Sequence, residues 1–399
     1  MGNILFLAHR VPYPPDRGDK IRSYHLLRHL AARGRVDLVA FADDPRDMHR
    51  PELAGLTASR TIVRRSKSQA VVGVQALASG RPLSLTAFDD AAMRRAVGEL
   101  LARERIETVF VFSGQMAQYL PADLQARVIM DFVDVDSAKF AAYASATSGP
   151  MRWLYRREAR LLQGFEQAIA ARADANLFVS DAEAGLFRGN TGAERVHAIE
   201  NGIDTVLFDP AAAFERVDAG PALIVFTGQM DYRPNIDAVT WFAEDILPRV
   251  RASHPDARFA IVGRNPGETV KALARQPGVI VTGEVADVRG WLAAAAVVVA
   301  PLKLARGIQN KVLEAMAMAR PVVASSAAAE GIDHGGTITV GATAADLVEA
   351  VTLMLSDRAS AAELGQDARA RVIARYGWDA RLAPLDALLG LPAAMGEAA

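Results

Sequence analysis

The chain has 399 residues, 51% of them hydrophobic, and a net charge of −1 from 45 Lys and Arg against 46 Asp and Glu. So even a balance gives no whole-protein electrostatic case for binding nucleic acid. Cysteine is absent, which excludes disulfides, cysteine–zinc sites and thiol catalysis and is compatible with a reducing cytoplasm.

The length predicts about two domains, on a prior of ~150 residues each. The apolar run Ile4–Ala8 near the start is too short for a signal peptide and lacks a basic lead, so it reads as a first buried strand. No segment approaches ~18 uninterrupted apolar residues, and no spanning helix is expected. Further apolar runs predict strands at Val36–Phe41, Val109–Phe112, Val128–Met130, Ala175–Val179 and Val196–Ile199. A second series follows at Leu223–Thr227, Arg258–Val262, Val279–Thr282, Ala296–Ala300 and Val322–Ala324. Amphipathic stretches between them predict helices, among them Ile21–Arg33, Asp89–Glu104, Leu154–Arg172, Ile236–Ser253 and Ala345–Leu355. This alternation predicts an α/β protein with doubly wound parallel sheets, and two successive series predict two such domains. Asn201-Gly202 is a turn signal, and the Ala/Asp/Gly/Pro-rich run Asp209–Pro221 reads as a linker. The expected domains are therefore 1–205 and 222–375, joined by 206–221, with a segment 376–399 whose tail from Gly390 reads as disordered.

After the first strand comes His9-Arg10-Val11-Pro12-Tyr13-Pro14-Pro15-Asp16-Arg17-Gly18-Asp19-Lys20. Its prolines stiffen a loop at the carboxyl end of a strand, where open α/β sheets bind ligands. Gly18 allows close backbone approach, and Lys20 and Arg22 add positive charge; the alternative is a rigid, solvated connection. The dinucleotide pattern G-x-G-x-x-G is missing from this loop, and G-x-x-x-x-G-K-[ST] is missing from the chain. Both absences argue against NAD-dependent oxidoreductases and P-loop NTPases. Asp131, Asp134 and Asp136 follow the strand Val128–Met130. They read as carboxylates lining an acceptor side, one of them receiving a hydroxyl proton, or else as caps of a helix beginning near Ser137. His9 is a further candidate for that role.

In the second half, glycine follows three successive strands, at Gly228, Gly263 and Gly283. A fourth strand leads into Arg306-Gly307-Ile308-Gln309-Asn310-Lys311-Val312-Leu313-Glu314, which reads as a loop opening a helix. Backbone N–H groups at that helix start, together with Lys311, suit a phosphate. Asn310, Lys311 and Glu314 share one helix face, so a carboxylate lies one turn away for sugar hydroxyls. The alternatives are surface ion pairs for Arg306 and Lys311 and a plain Lys311–Glu314 pair.

These motifs resemble those of GT-B glycosyltransferases of family 4. The similarity is closer to the sugar transferases associated with bacterial exopolysaccharide clusters of the PEP-CTERM type. Besides Arg306–Met318 and Pro321-Val322-Val323, the resemblance rests on three further segments: Pro12–Pro15 with Gly18-Asp19-Lys20; Asp131–Ser137; and Asn201-Gly202-Ile203-Asp204 with Phe208. It implies two Rossmann-like domains facing a cleft, with the donor on the second and the acceptor on the first, near Gly18, Asp19, Lys20 and Asp136. It also implies a last helix, Trp378–Leu389, that returns to the first domain. The reaction would be retaining and independent of metal and cofactor, with a UDP- or GDP-sugar as donor.

Two departures from the family pattern bear on the site. Arg306 stands where the first acid of the Glu-x7-Glu motif is usual. The phosphate-binding Arg and Lys expected after Gly228 are replaced near Gln229 and Pro234. The positive charge is therefore read as relocated to Arg306, Lys311 and Arg233, with Gly307, Ile308, Gln309 and Asn310 adding backbone donors and Glu284 lying near the base. Asp131, Asp134, Lys311 and Glu314 are the candidate catalytic residues. The expected activity is transfer of a sugar to a lipid-linked or polysaccharide acceptor in exopolysaccharide synthesis, in the cytoplasm and on the inner face of the membrane. A nucleotide-sugar 2-epimerase and a non-catalytic nucleotide-sugar scaffold are the rivals. Membrane contact is read from the basic cluster Arg60–Lys67 before the apolar stretch Ala70–Leu77, and from Met151–Arg157, where aromatic and basic residues interleave.

Overall fold

The computed structural model describes residues 2–15, 17–305 and 308–391, apart from the Ala146 side chain; the tail beyond residue 391, with Arg306 and Gly307, lies outside the described residues. Seven strands form the first sheet: β1 (Asn3–Ala8), β2 (Arg35–Ala42), β3 (Ser59–Arg64), β4 (Ile106–Phe112), β5 (Arg127–Val133), β6 (Ala175–Phe178) and β7 (Val196–Ala198). All are parallel, in the order β3-β2-β1-β4-β5-β6-β7. Its helices are α1 (Gly18–Ala31), α2 (Gln69–Ser79), α3 (Leu83–Ala87), α4 (Ala91–Arg103), α5 (Asp136–Ala146), α6 (Gly149–Arg172) and α7 (Asp181–Thr191).

The second sheet has six strands: β8 (Leu223–Thr227), β9 (Arg258–Val262), β10 (Val279–Gly283), β11 (Val297–Ala300), β12 (Val322–Ser325) and β13 (Thr339–Gly341). They too are parallel, in the order β10-β9-β8-β11-β12-β13. Around it lie α8 (Arg233–Trp241), α9 (Leu247–Ser253), α10 (Glu268–Leu273), α11 (Arg289–Ala294), α12 (Asn310–Ala317), α13 (Ser326–Ala329), α14 (Ala344–Ser356) and α15 (Arg358–Tyr376); α16 (Trp378–Leu388) follows. Strands covered on both faces must be apolar along their length. β1, β4, β8 and β11 accordingly place Leu5, Phe6, Val109, Phe110, Val225, Phe226, Val297 and Val298 almost wholly out of solvent.

The predicted α/β architecture of two Rossmann-like sheets is what the chain adopts. Three local readings differ. The first part of the basic cluster Arg60–Lys67 lies in the edge strand β3; charged side chains on an edge suppress further pairing and hide the apolar signature of a strand. β13 is too short for a periodic signal. The stretch Ile236–Ser253 is not one regular helix. Pro248 has no N–H to give, and the chain widens between α8 and α9 into a π turn at Phe242–Ile246, where Leu247 N–H donates to the Phe242 carbonyl.

The chain divides at Asn201/Gly202. One compact unit runs to Asn201 and includes the residues from Leu382 onward; the other is Gly202–Arg381. Residues 206–221, read as a linker, are tied into the second unit: Arg369 donates to the Phe208 carbonyl (3.0 Å) and pairs with Asp209 (3.1 Å). Ile203 N–H donates to the Tyr376 carbonyl (2.7 Å), and a Cβ on Gly202 would lie 2.7 Å from the Trp378 Cα. The second half of α16 is held in the first unit by Asp386, which accepts from His29 Nε2 (2.9 Å) and Arg33 Nη2 (2.7 Å).

One ion pair organises the carboxyl end of the first sheet. Arg22 of α1 and Asp131 of β5 are 1% and 0% exposed, with Arg22 Nε 2.8 Å from the carboxylate. Arg22 Nη1 also donates to the Ile199 carbonyl (2.7 Å) and Asn201 Oδ1 (2.9 Å), so one guanidinium joins α1, β5 and the segment after β7. Removing one partner of a buried pair strands the other charge. Arg22→Met is expected to destabilise the first unit by about 3 kcal/mol in urea denaturation, with Arg22→Met/Asp131→Leu recovering much of the loss.

Candidate functional site

The second sheet reverses its strand order between β8 and β11, and loops at the carboxyl ends of such strands form the usual ligand crevice. Here they surround a cavity of ≈ 620 Å³. Its floor is backbone. Gly228 N–H donates to the Val262 carbonyl (3.0 Å), Gly263 N–H to the Gly283 carbonyl (3.2 Å) and Met230 N–H to the Arg264 carbonyl (2.9 Å). A Cβ at position 263 would sit 1.7 Å from the Gly228 carbonyl oxygen, so only glycine permits this approach of the two loops. A Cβ at position 228 would meet Asn235 Nδ2 at 2.8 Å and Lys311 Nζ at 3.2 Å.

Lys311, in the first turn of α12, reaches across this floor. Its ammonium donates to Asn235 Oδ1 (2.6 Å) and lies 4.2 Å from the Phe226 ring centroid. Asn235 is 5% exposed and fixes its own orientation by donating from Nδ2 to the Gln229 carbonyl (2.9 Å). Glu314 lines the same cavity one turn along. Burial pushes the Lys311 ammonium down to about 8, against the opposing pull of Glu314. Burial likewise pushes the Glu314 carboxyl up to about 7, against Lys311. Desolvation thus brings the titration of both groups toward the neutral range, with Lys311 still mostly protonated at pH 7. The start of α12 is not capped by the Gln309 side chain, and Ile308, Gln309 and Asn310 border the cavity there.

Of the candidate donor residues, the cavity brings together Gly228, Gly263, Glu284, Ile308, Gln309, Asn310, Lys311 and Glu314. Arg233 is not among its walls: its side chain is 83% exposed and pairs with Asp237 on the next turn (2.8 Å). The second cation on the described wall is Arg264, which sequence reasoning passed over. With the Gln229 amide oxygen turned toward it, Arg264 Nε donates to that oxygen at 3.1 Å. Asn235 was also missed. Its signal was Pro234-Asn235 opening a helix, read only as the loss of a cation. A buried cation, an amide and a carboxylate over a glycine floor can hold a diphosphate and a vicinal diol.

In the first unit, the residues expected to face an acceptor are mostly engaged with other residues of that unit. Asp131 is the fully buried partner of Arg22 and has no exposed oxygen for a substrate proton. Lys20 is 4% exposed and gives its charge to Asp47 (3.1 Å). Asp19 accepts from Arg10 Nη1 (2.6 Å) and lies 3.2 Å from His9 Nε2. Burial opposes its ionisation, but His9 and Arg10 outweigh it and hold the carboxyl well below the ordinary range. Gly18 opens α1 with free space around it, so no close contact demands a glycine. Asp134 is exposed. Asp136, the first residue of α5, accepts from Gln115 Nε2 (3.3 Å) and lies 3.5 Å from Lys139 Nζ; burial pushes its carboxyl up. Neither acid caps α5; Glu166 does, accepting from Ser137 N–H (3.0 Å) and Oγ. His9 is 7% exposed, stacks on Phe112 (5.5 Å) and keeps a buried Nδ1 without a protein partner.

Residues 221–357, which contain the cavity, match the family model of glycosyl transferases group 1. Alpha-maltose-1-phosphate synthase of Mycolicibacterium smegmatis is 31% identical over 212 residues, 46% of this chain and 54% of that protein. The chain thus matches about half the length of this curated relative. Sucrose-phosphate synthase from Thermosynechococcus elongatus has a TM-score of 0.58 at 20% identity, over 98% of each chain. Anabaena Alr3699/HepE in complex with UDP and glucose also gives 0.58, at 15% identity, over 98% of this chain and 100% of its own.

Gly228→Ala is expected to lower Tm in thermal denaturation, because the added Cβ would meet Asn235 Nδ2 at 2.8 Å on a backbone of φ +159°. The two parallel sheets and these likenesses show a fold shared with GT-B glycosyltransferases, and residues 221–357 match the glycosyl transferases group 1 model.

Proposed function

We propose that the protein is a retaining, metal-independent glycosyltransferase. It would take a sugar from a UDP- or GDP-sugar and pass it to a lipid-linked or polysaccharide acceptor in exopolysaccharide synthesis. The observation that carries the reading is the cavity in which Lys311, oriented by Asn235, stands one helical turn from Glu314. Support also comes from the group 1 match over the same residues and from a structural neighbour whose title names UDP and glucose.

In this reading the donor diphosphate lies against the start of α12. Lys311 and the first backbone N–H groups meet the charge that grows on the leaving phosphate. The sequence assigns Arg306 and Gly307 a share of that role, and Arg264 takes the place first given to Arg233. Glu314 accepts hydrogen bonds from hydroxyls of the donor, and the Glu284 loop borders the base. On the first unit, Asp134 and Asp136 remain the carboxylates for the acceptor hydroxyl, since Asp131 is committed to Arg22.

Labelled UDP- and GDP-sugars, incubated with the protein with and without membrane extract, provide the test. Sugar transferred to lipid or glycan supports the proposal. Isomerised free nucleotide-sugar would replace it with an epimerase, and binding without turnover would replace it with a scaffold. Lys311→Ala is expected to lower kcat by roughly 10²-fold or more, the scale for losing a donor aimed at developing charge.

The pH dependence has a defined sign. Glu314 must lose its proton to accept from hydroxyls, and Lys311 must keep its own to meet phosphate. Donor affinity should therefore rise as pH climbs through about 7 and fall as it climbs through about 8. Glu314→Gln should abolish the acid limb and leave the alkaline one, as measured by UDP titrations across pH.

A further inference from the structure

A second cleft lies at the other end of the second unit's sheet. The cavity described above opens at the carboxyl ends of the strands. This cleft is bordered by Pro221, Ala296 and Pro321, which stand just before β8, β11 and β12 at their amino ends. Its volume is ≈ 280 Å³, and α14 and α15 complete it through Met354, Arg358 and Gln366.

The two clefts also lie at opposite ends of α12. Lys311 and Glu314 serve the cavity from its first turns, and the chain leaves its far end through Ala319 and Arg320. Ala319 holds a φ of +53°, which glycine adopts more readily. Arg320 N–H donates back to the Ala315 carbonyl (3.0 Å). On the other side α15 presses on the turn: a Cβ on Gly365 would lie 2.4 Å from the Ala319 carbonyl oxygen. Arg320 is thus set at the cleft by a turn held between two helices.

Two guanidiniums meet the carbonyl end of α12, and they differ in their counter-ions. Arg369 donates to the Ala317 carbonyl and has Asp209 3.1 Å away. Arg320 donates from Nε to the Met318 carbonyl (3.2 Å) and from Nη1 to the Ala295 carbonyl (3.4 Å). Among the described residues no carboxylate pairs with it, and its Nη2 has no acceptor. A cation suits a helix C-terminus, which explains the bond from Nε. It does not explain a half-buried charge whose charged neighbour is Arg216, another guanidinium. Burial first, and then that like charge, push the Arg320 guanidinium below its ordinary range. Arg358 adds a further positive charge to the cleft and is likewise unpaired among the described residues. Its sequence neighbour Asp357 is turned to its own helix, where it accepts from Ser360 N–H (3.1 Å) and Oγ (2.8 Å). A partly dehydrated charge calls for a counter-ion, and here the protein leaves its place open to solution.

We propose that this cleft binds the phosphate group of a small molecule through Arg320 and Arg358. The planar fork of a guanidinium matches phosphate oxygens. The volume falls just below the ~300–1,000 Å³ of pockets for drug-sized ligands, so the ligand is small. Ala296, Ala361 and Met354 offer it an apolar wall, and Gln366 an amide. The inference uses no residue of the donor cavity and requires no sugar transfer.

The test is calorimetric titration of the full chain with inorganic phosphate and with phenyl phosphate at constant ionic strength. The cavity around Lys311 also suits a phosphate, so each titration is repeated in Lys311→Ala. The expected result is a site that survives Lys311→Ala and binds phenyl phosphate more tightly, because the ring meets the apolar wall. Arg320→Gln should weaken binding about tenfold or more, and Arg358→Gln, at an exposed side chain, about threefold. Should Arg320→Gln fail to fold, Arg358→Gln carries the test alone. Tighter binding of inorganic phosphate would keep the site and make free phosphate its ligand. No binding, binding that neither arginine variant weakens, or binding lost with Lys311→Ala would overturn the proposal. Phosphate binding without sugar transfer, or transfer without phosphate binding, separates this proposal from the functional one.

Discussion

The contact on which the cavity of the second unit depends is between two backbones. The Gly228 carbonyl oxygen occupies the space where any residue but glycine at 263 would put its Cβ. That approach closes the ends of β8 and β9 together and leaves a floor with no side chain above it. Lys311 can then cross from α12 to Asn235 in the first turn of α8. Without this collapse the ammonium and the amide would be separated by the bulk of their own loops. The hydrogen bond that aims the cation is thus a consequence of sheet geometry.

Desolvation then sets the chemistry. Lys311 and Glu314 are each moved toward neutrality mainly by burial, and each partly restrains the other. Fixed in a glycine-floored cavity, they are poised to change charge when an anion or a polyol arrives. Phe226 lies 4.2 Å from the ammonium, and Asn235 accepts its hydrogen bond. Preorganised, partly dehydrated groups of this kind act more strongly on developing charge than the same groups in water.

The first unit uses its charges differently. Arg22 with Asp131, Lys20 with Asp47, and Asp19 with Arg10 are pairs that hold α1 and the strand ends in place. Such pairs contribute little net stability over apolar replacements but make each member indispensable to the other. The outer face of the same unit differs, with Arg156 and Arg160 exposed and Val74, Leu77 and Trp153 exposed as well. Two environments within one unit thus separate charges that hold the fold from charges left available.

Much of the architecture was legible in the amino-acid sequence. Apolar runs covered on both faces announce parallel strands whatever their neighbours, so β8 and β9 were readable to the residue and the alternation implied two sheets. The glycines after the strands and the Lys311–Glu314 spacing were equally local signals. What depended on tertiary structure was the use of charge. Whether Asp131 faces a substrate or Arg22 rests on a partner 109 positions away, and whether Arg233 or Arg264 borders the cavity rests on which way each loop leaves its strand. Local patterns specify elements because backbone geometry repeats along the chain. They cannot specify a charged side chain's partner, because that is settled by burial and by residues the fold brings in from elsewhere.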